Sequence, residues 1–351
     1  MKKILVTGSN GFIAKHVILE LYKKNYSVIG TVRNLDYSVT IKNDIETHLG
    51  KSIDIEFVKA DLNSDGGWED AVEHSEAILH TASPFPSKRP KDENDLINPA
   101  KEGTLRVLKA ALKNSVKRVI ITSSNAAVYD GNKHITEFDE NIWTNINAKG
   151  VSAYTKSKTI AEKSAWEFVS DNPEIQLSTI NPVLVWGPGI GNHLSSASLN
   201  IFKMLMRREM PMIPRMKAPL VDVRDVAKAH IRALENDQSI GKRFLICEDT
   251  HWMKDISMKM KSMGYNAPIK VAPDFLIKLL SLFDPKLKEA VNKLGYDYSI
   301  NCNQAHSILD FNPIKLEKTI EDTHNYLNAV SYTHLRAHET KANLVCRLLL
   351  E

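Results

Sequence analysis

Tyr154 and Lys158 lie four residues apart in a segment with helical periodicity, which sets both side chains on one face of a helix. A phenol titrating near ~10 exchanges protons poorly at neutral pH, but a neighbouring lysine cation stabilises its phenolate. Such a tyrosine can protonate a carbonyl oxygen as hydride reaches the carbonyl carbon. Upstream, Val119-Ile120-Ile121-Thr122-Ser123-Ser124 has the pattern of a strand ending in hydroxyls, at the carboxyl edge where open parallel sheets bind ligands. Ser124 is expected to hydrogen-bond the carbonyl and fix its pose, with Ser123 as the neighbouring alternative.

A hydride needs a carrier, and the first residues offer a place for one. Thr7-Gly8-Ser9-Asn10-Gly11-Phe12-Ile13-Ala14 stands between an apolar strand and an apolar helical run. Gly8 permits the tight turn, and Gly11 lets the backbone approach a pyrophosphate at the helix N-terminus, where free N–H groups and the macrodipole favour an anion. Asn10, Phe12 and Ile13 complete the expected dinucleotide turn, and Ala14 takes the place of a third glycine. The second strand ends Gly30-Thr31-Val32-Arg33-Asn34, without the acidic residue that holds the ribose 2′-hydroxyl of NAD. Arg33 there suits the 2′-phosphate of NADP(H), and Lys42 is a candidate second charge. Asp61-Leu62 is placed to meet the adenine, and Thr81-Ala82-Ser83-Pro84 to run beneath the coenzyme.

The elements that must position these groups alternate. Apolar runs at Ile4 to Thr7, Val28 to Val32, Ile55 to Val58, Ala77 to His80, Val119 to Thr122 and Leu177 to Ile180 are each followed by a helix-length segment. That pattern predicts an α/β fold with a doubly wound, Rossmann-type parallel sheet. Beyond Pro188 the sequence becomes Met-rich, Pro-punctuated and helical, with a helix start at Val221 to Asp225 and a strand at Arg243 to Cys247. The expected division is a coenzyme-binding unit over 1–190 and 222–250, and a smaller, mostly helical substrate-binding region over 191–221 and 251–330.

The 351 residues carry 46 Lys+Arg against 42 Asp+Glu, a formal charge of +4, which is too even for a nucleic-acid surface. Cys247, Cys302 and Cys346 are far apart, with no CxxC pair and no histidine cluster, so neither a disulfide framework nor a metal site is expected. No apolar run approaches a membrane span, and a soluble cytoplasmic protein is the expectation. Ser331 to Thr340 resembles the translation of a sequencing-library transposase adapter, so 331–351 are set apart as an expected artefactual tail.

Taken together, Thr7 to Ala14, Val32-Arg33, Asp61-Leu62, His80 to Phe85, Lys117 to Ser124, Tyr154 to Lys158 with Ala161-Glu162, Asn181-Pro182 with Gly187-Pro188, and Asp222 to Ala227 resemble the extended short-chain dehydrogenase/reductases. The nearest branch is that of the dihydroflavonol reductase-like enzymes, which includes many microbial aldehyde and ketone reductases, and the resemblance spans about residues 3 to 330. It implies a Ser124, Tyr154, Lys158 catalytic triad, with Lys158 also holding the nicotinamide ribose and Pro182 to Val185 flanking the nicotinamide. Plant flavonoid reductases of this branch carry an amide where Tyr129 stands here, which argues against a flavonoid substrate. Phe85, Tyr129, Trp143 and Phe202 are candidate pocket walls, and His193 a candidate donor to a substrate oxygen. The expectation is NADPH-dependent reduction of a small to medium, fairly apolar aldehyde or ketone by a monomer or homodimer. The rivals are an epimerase or dehydratase acting on nucleotide sugars with tightly held NAD, and a non-catalytic coenzyme sensor.

Overall fold

Seven runs rich in Ile, Val and Leu pair in parallel: β1 (Lys3–Thr7), β2 (Ser27–Val32), β3 (Ile55–Lys59), β4 (Ala77–His80), β5 (Arg118–Thr122), β6 (Gln176–Pro182) and β7 (Lys242–Ile246). The spatial order is β7-β6-β5-β4-β1-β2-β3. Both faces of the sheet are covered, and the pleat sorts side chains between two cores. Ile4 and Val6 of β1 face one core and Leu5 faces the other; Val28 and Val32 part from Ile29 in the same way, and Ala77 and Leu79 from Ile78. Each such fully buried Ile, Val or Leu contributes about 1.5–3 kcal/mol. The computed structural model describes residues 2–84, 90, 92–194 and 196–331.

Helices α1 (Phe12–Lys23), α2 (Tyr37–Leu49) and α6 (Val223–Glu235) cover the first face, and α3 (Trp68–Val72), α4 (Asn94–Lys113) and α5 (Ala153–Asp171) the second. The helix starts follow capping chemistry. Ser152 Oγ accepts the Thr155 N–H at 3.2 Å before α5, and Asp222 accepts the Arg224 N–H at 2.9 Å before α6. The helix expected to begin at Val221 therefore starts at Val223, because Val221 and Asp222 close a strand.

That strand, Lys217–Asp222, lies between Leu184–Trp186 and Asp249–Trp252 in a three-stranded sheet that the sequence pattern did not disclose. Pro219 within it removes a ladder donor and disguises it as a loop. Helices Ala197–Met206 and Met253–Ser262, with a last helix over 316–331, pack a third core around Trp186, Phe202 and Leu220. No described helix is long and apolar enough to cross a membrane. Cys247 and Cys302 are free and buried. Phe85 lies outside the described residues, and so does the expected tail past Ser331.

Candidate active site

Strand order reverses between β1 and β4, and the loops that leave these two strands bound a groove of about 360 Å³. Gly8, Asn10 and Gly11 line it from the first loop, Thr81 to Pro84 from the fourth, with Arg33, Asp61 and Leu62 beyond. Gly8 adopts φ +67°, and a Cβ there would stand 3.0 Å from Ala82. Its N–H donates to Thr31 Oγ1 at 3.0 Å, and the Gly11 N–H closes the turn on Gly8 O at 2.8 Å. Among the described residues no side chain caps α1 and its first turn carries no acid. The opening amides at Phe12 and Ile13 are left to a ligand, and the helix presents its positive end to the groove.

Arg33 is exposed at the end of β2 and lines the groove, whereas Lys42 faces Glu46 at 3.9 Å and does not. Asp61 accepts from its neighbour Asn63 at 2.9 Å, and Leu62 packs over Gly103, where any larger residue would collide with it. Tyr37 and Trp68 also line the groove and were not expected. Tyr37, four residues past Arg33, carried a positional signal. Trp68, donating to Asp61 O at 3.1 Å and Ser64 O at 2.9 Å, carried none.

Ser124, Tyr154 and Lys158 come together beside the fourth loop. A 3₁₀ turn over Asn125–Ala127 follows β5, and Ser124 caps it by accepting the Ala126 N–H at 3.1 Å. The same side chain hydrogen-bonds the Tyr154 hydroxyl. Burial holds the Tyr154 phenol above its ordinary value, a shift that the Ser124 contact opposes, so the group is a protonated donor here. Lys158 Nζ stands 5.9 Å from the Tyr154 ring centre and donates to Ser83 Oγ at 2.9 Å. Burial lowers the Lys158 ammonium to about 8, against the opposing pull of Glu162. The adjacent cation is in place, and burial sets the direction of the Tyr154 shift.

Ser123 is committed elsewhere. Its hydroxyl donates to Glu162, a buried carboxylate that also takes hydrogen bonds from Asn181 Nδ2 at 2.6 Å, Arg243 Nε at 2.7 Å, Thr179 Oγ1 at 3.1 Å and Trp166 Nε1 at 3.3 Å. Asn181 reaches the Ser124 carbonyl as well, at 3.2 Å. Pro182 and Val185 are buried just beyond, where β6 gives way to the strand Leu184–Trp186.

The candidate walls separate. Tyr129 stacks on Tyr298 at 5.6 Å, receives the Lys293 ammonium on its hydroxyl, and faces Tyr154 electrostatically. Trp143 lies under the Arg243 guanidinium at 3.6 Å, with Lys163 at 5.3 Å, so an ion pair's shell claims its ring. Phe202 is fully buried against Trp186 at 5.0 Å in the third core, where it cannot touch a substrate. His193 is buried beside Phe12 rather than solvated, and burial lowers it to about 3, which keeps it neutral.

The model of the NAD dependent epimerase/dehydratase family matches residues 4–247, from β1 to the residue after β7. The chain belongs to that family. Within the NAD dependent epimerase/dehydratase family, similar curated proteins are reductases. The NADPH-dependent methylglyoxal reductase of Saccharomyces cerevisiae is 30% identical over 340 residues, covering 91% of this chain and 96% of the relative. Cinnamoyl-CoA reductase of Medicago truncatula is 34% identical over 303 residues, covering 84% and 91%. The solved structure of yeast methylglyoxal/isovaleraldehyde reductase complexed with NADPH matches with a TM-score of 0.72 at 28% identity, covering 95% of this chain and 99% of that one. Vestitone reductase from alfalfa matches at 0.74 and 25% identity, covering 95% and 100%.

Proposed function

We propose that this chain is an NADPH-dependent carbonyl reductase, converting a small to medium aldehyde or ketone to an alcohol. The observation that carries the reading is one cluster: Ser124 hydrogen-bonded to a protonated Tyr154, with the Lys158 ammonium beside the ring. The cluster adjoins a groove with an uncapped helix N-terminus and Arg33 at its far side. Those residues fit a 2′-phosphorylated dinucleotide: bare amides at Phe12 and Ile13 for the pyrophosphate, a guanidinium for the 2′-phosphate, and Asp61, Leu62, Thr81, Ala82 and Ser83 along the length.

Bound NADPH supplies the hydride. Ser124 and Tyr154 hold the substrate carbonyl oxygen between two hydroxyls, and Tyr154 gives its proton to that oxygen as negative charge develops there. Lys158 lowers the cost of the phenolate left behind and holds the nicotinamide ribose. Pro182 and Val185 would hold the nicotinamide beside the carbonyl. Tyr129 borders the substrate, and the chain over 191–221 and 251–330 closes the pocket. Supporting that role, Lys293 reaches Tyr129, and Asn292 Nδ2 donates to Gly150 O at 3.2 Å. Arg33 argues against the NAD-retaining epimerase reading. The intact Tyr154 and Lys158 argue against a coenzyme sensor.

The test is oxidation of NADPH, and separately NADH, against aldehydes, ketones, diketones and a dihydroflavonol, with Tyr154→Phe as control. Turnover that prefers NADPH and is lost in the variant is expected. Bound coenzyme with no turnover across the panel would overturn the reading.

A further inference from the structure

We propose that Glu162 is a positioning residue for the reaction, the buried counter-charge that keeps Lys158 an ammonium while fixing, through Asn181, the backbone at Ser124. The inference rests on the roles given above to Ser124, Tyr154 and Lys158.

Glu162 follows Lys158 by four residues on α5, so the sequence Tyr154, Lys158, Glu162 runs up one face of a single helix. It is 2% exposed, and donors converge on it from four elements: Ser123 after β5, Thr179 and Asn181 of β6, Arg243 of β7, and Trp166 of α5 itself. A carboxylate so enclosed needs a reason to be there, since an apolar residue of similar size costs less to bury. The ion pair with Arg243 does not account for it fully, because that partner is itself incompletely satisfied. Arg243 Nη2 is buried with no hydrogen-bond partner in the described residues, while Nη1 turns to Glu140 O at 2.6 Å and Ile142 O at 2.9 Å.

What the carboxylate does face is Lys158. A cavity of about 20 Å³ lies there, lined in part by Lys158, Glu162, Ser123, Ser83, Thr104 and His80, enough for one water. The charged and titratable groups around it are few. His80 of β4 is held neutral, lowered to about 3 by burial and by the Lys158 charge. Arg243 pairs with Glu162 through Nε at 2.7 Å and turns Nη1 to the loop that carries Glu140, and Tyr154 lies one turn before Lys158 on α5. Glu162 is therefore the near anion for an ammonium that burial works to discharge.

The experiment is the pH dependence of kcat for wild type, Glu162→Gln, Arg243→Gln and Tyr154→Phe, with NADPH binding and thermal melting as fold controls. Removing the anion lets burial win, so the alkaline limb of Glu162→Gln should move to lower pH by about one unit or more. Arg243→Gln leaves the anion and removes a competing cation, so its limb should stay in place or move upward. A limb unmoved in folded Glu162→Gln overturns the inference, and so do equal downward movements in both variants, which would mark a merely structural pair. Should Glu162→Gln not fold, Glu162→Asp withdraws the same charge by one methylene. It should move the limb the same way by a smaller step, and an unmoved limb there overturns the inference equally. Tyr154→Phe separates the two levels: if it retains turnover, the catalytic reading fails; if it loses turnover while the limbs stay fixed, only the role of Glu162 fails.

Discussion

Lys158 Nζ donates to Ser83 Oγ at 2.9 Å, which ties the middle of α5 to the loop that leaves β4. The bond crosses the boundary between the two halves of the site, because α5 carries the proton-handling residues and the β4 loop borders the groove. Ser83 lines that groove, so the bond sets the Lys158 ammonium beside it.

Tyr154→Phe removes the proton donor and one oxygen while preserving the ring. We expect kcat to fall by about 10²-fold or more with NADPH affinity nearly unchanged, measured by steady-state NADPH oxidation and by fluorescence titration of the coenzyme.

Arg33→Ala removes the guanidinium expected to grip the 2′-phosphate. A charge-assisted hydrogen bond contributes about 1.5–3 kcal/mol, so KM for NADPH should rise by about tenfold or more while KM for NADH stays close to wild type. Equal changes with both coenzymes would exclude Arg33 from phosphate recognition.

Phe202→Ala should destabilise the protein by about 3–5 kcal/mol, seen in urea unfolding, without altering which carbonyl compounds are accepted by the folded fraction. The side chain fills the third core against Trp186 and is shut off from solvent.

Acid should destabilise the chain through its buried histidines. Burial lowers His16 and His230 to about 4, and His80 and His193 to about 3, all from an ordinary value of 6.5. Below pH 6.5 the unfolded chain takes up protons that the folded chain refuses. Stability is therefore lost as pH falls from 6.5 toward 4, with a slope of up to about 1.4 kcal/mol per pH unit for each histidine. Urea midpoints between pH 7 and 5 would show it; a flat profile would mean that these rings stay accessible to protons.

The parallel sheet was legible because strands buried on both faces are continuous apolar runs, and all seven of its strands were bounded within two residues. The glycine turn and the Tyr154–Lys158 pair were legible for a different reason. Each is a local spacing, so sequence distance fixes spatial distance. The pocket walls were not legible, since whether Trp143 or Phe202 touches a substrate depends on partners about a hundred residues away or on a strand disguised by Pro219. Glu162 stood in plain view beside Lys158, but its significance lies in Asn181 and Arg243, and nothing in the spacing connects them.

The groups expected to choose the coenzyme hang on the loops after β1 and β2, and those expected to move the proton ride on α5, which the Lys158–Ser83 bond joins to the loop after β4. Such a division makes the two properties separately heritable. Exchange of the exposed Arg33 is expected to change which pool of reductant the protein draws on in a single mutational step, while the proposed proton-transfer residues on α5 pass unchanged to the descendants.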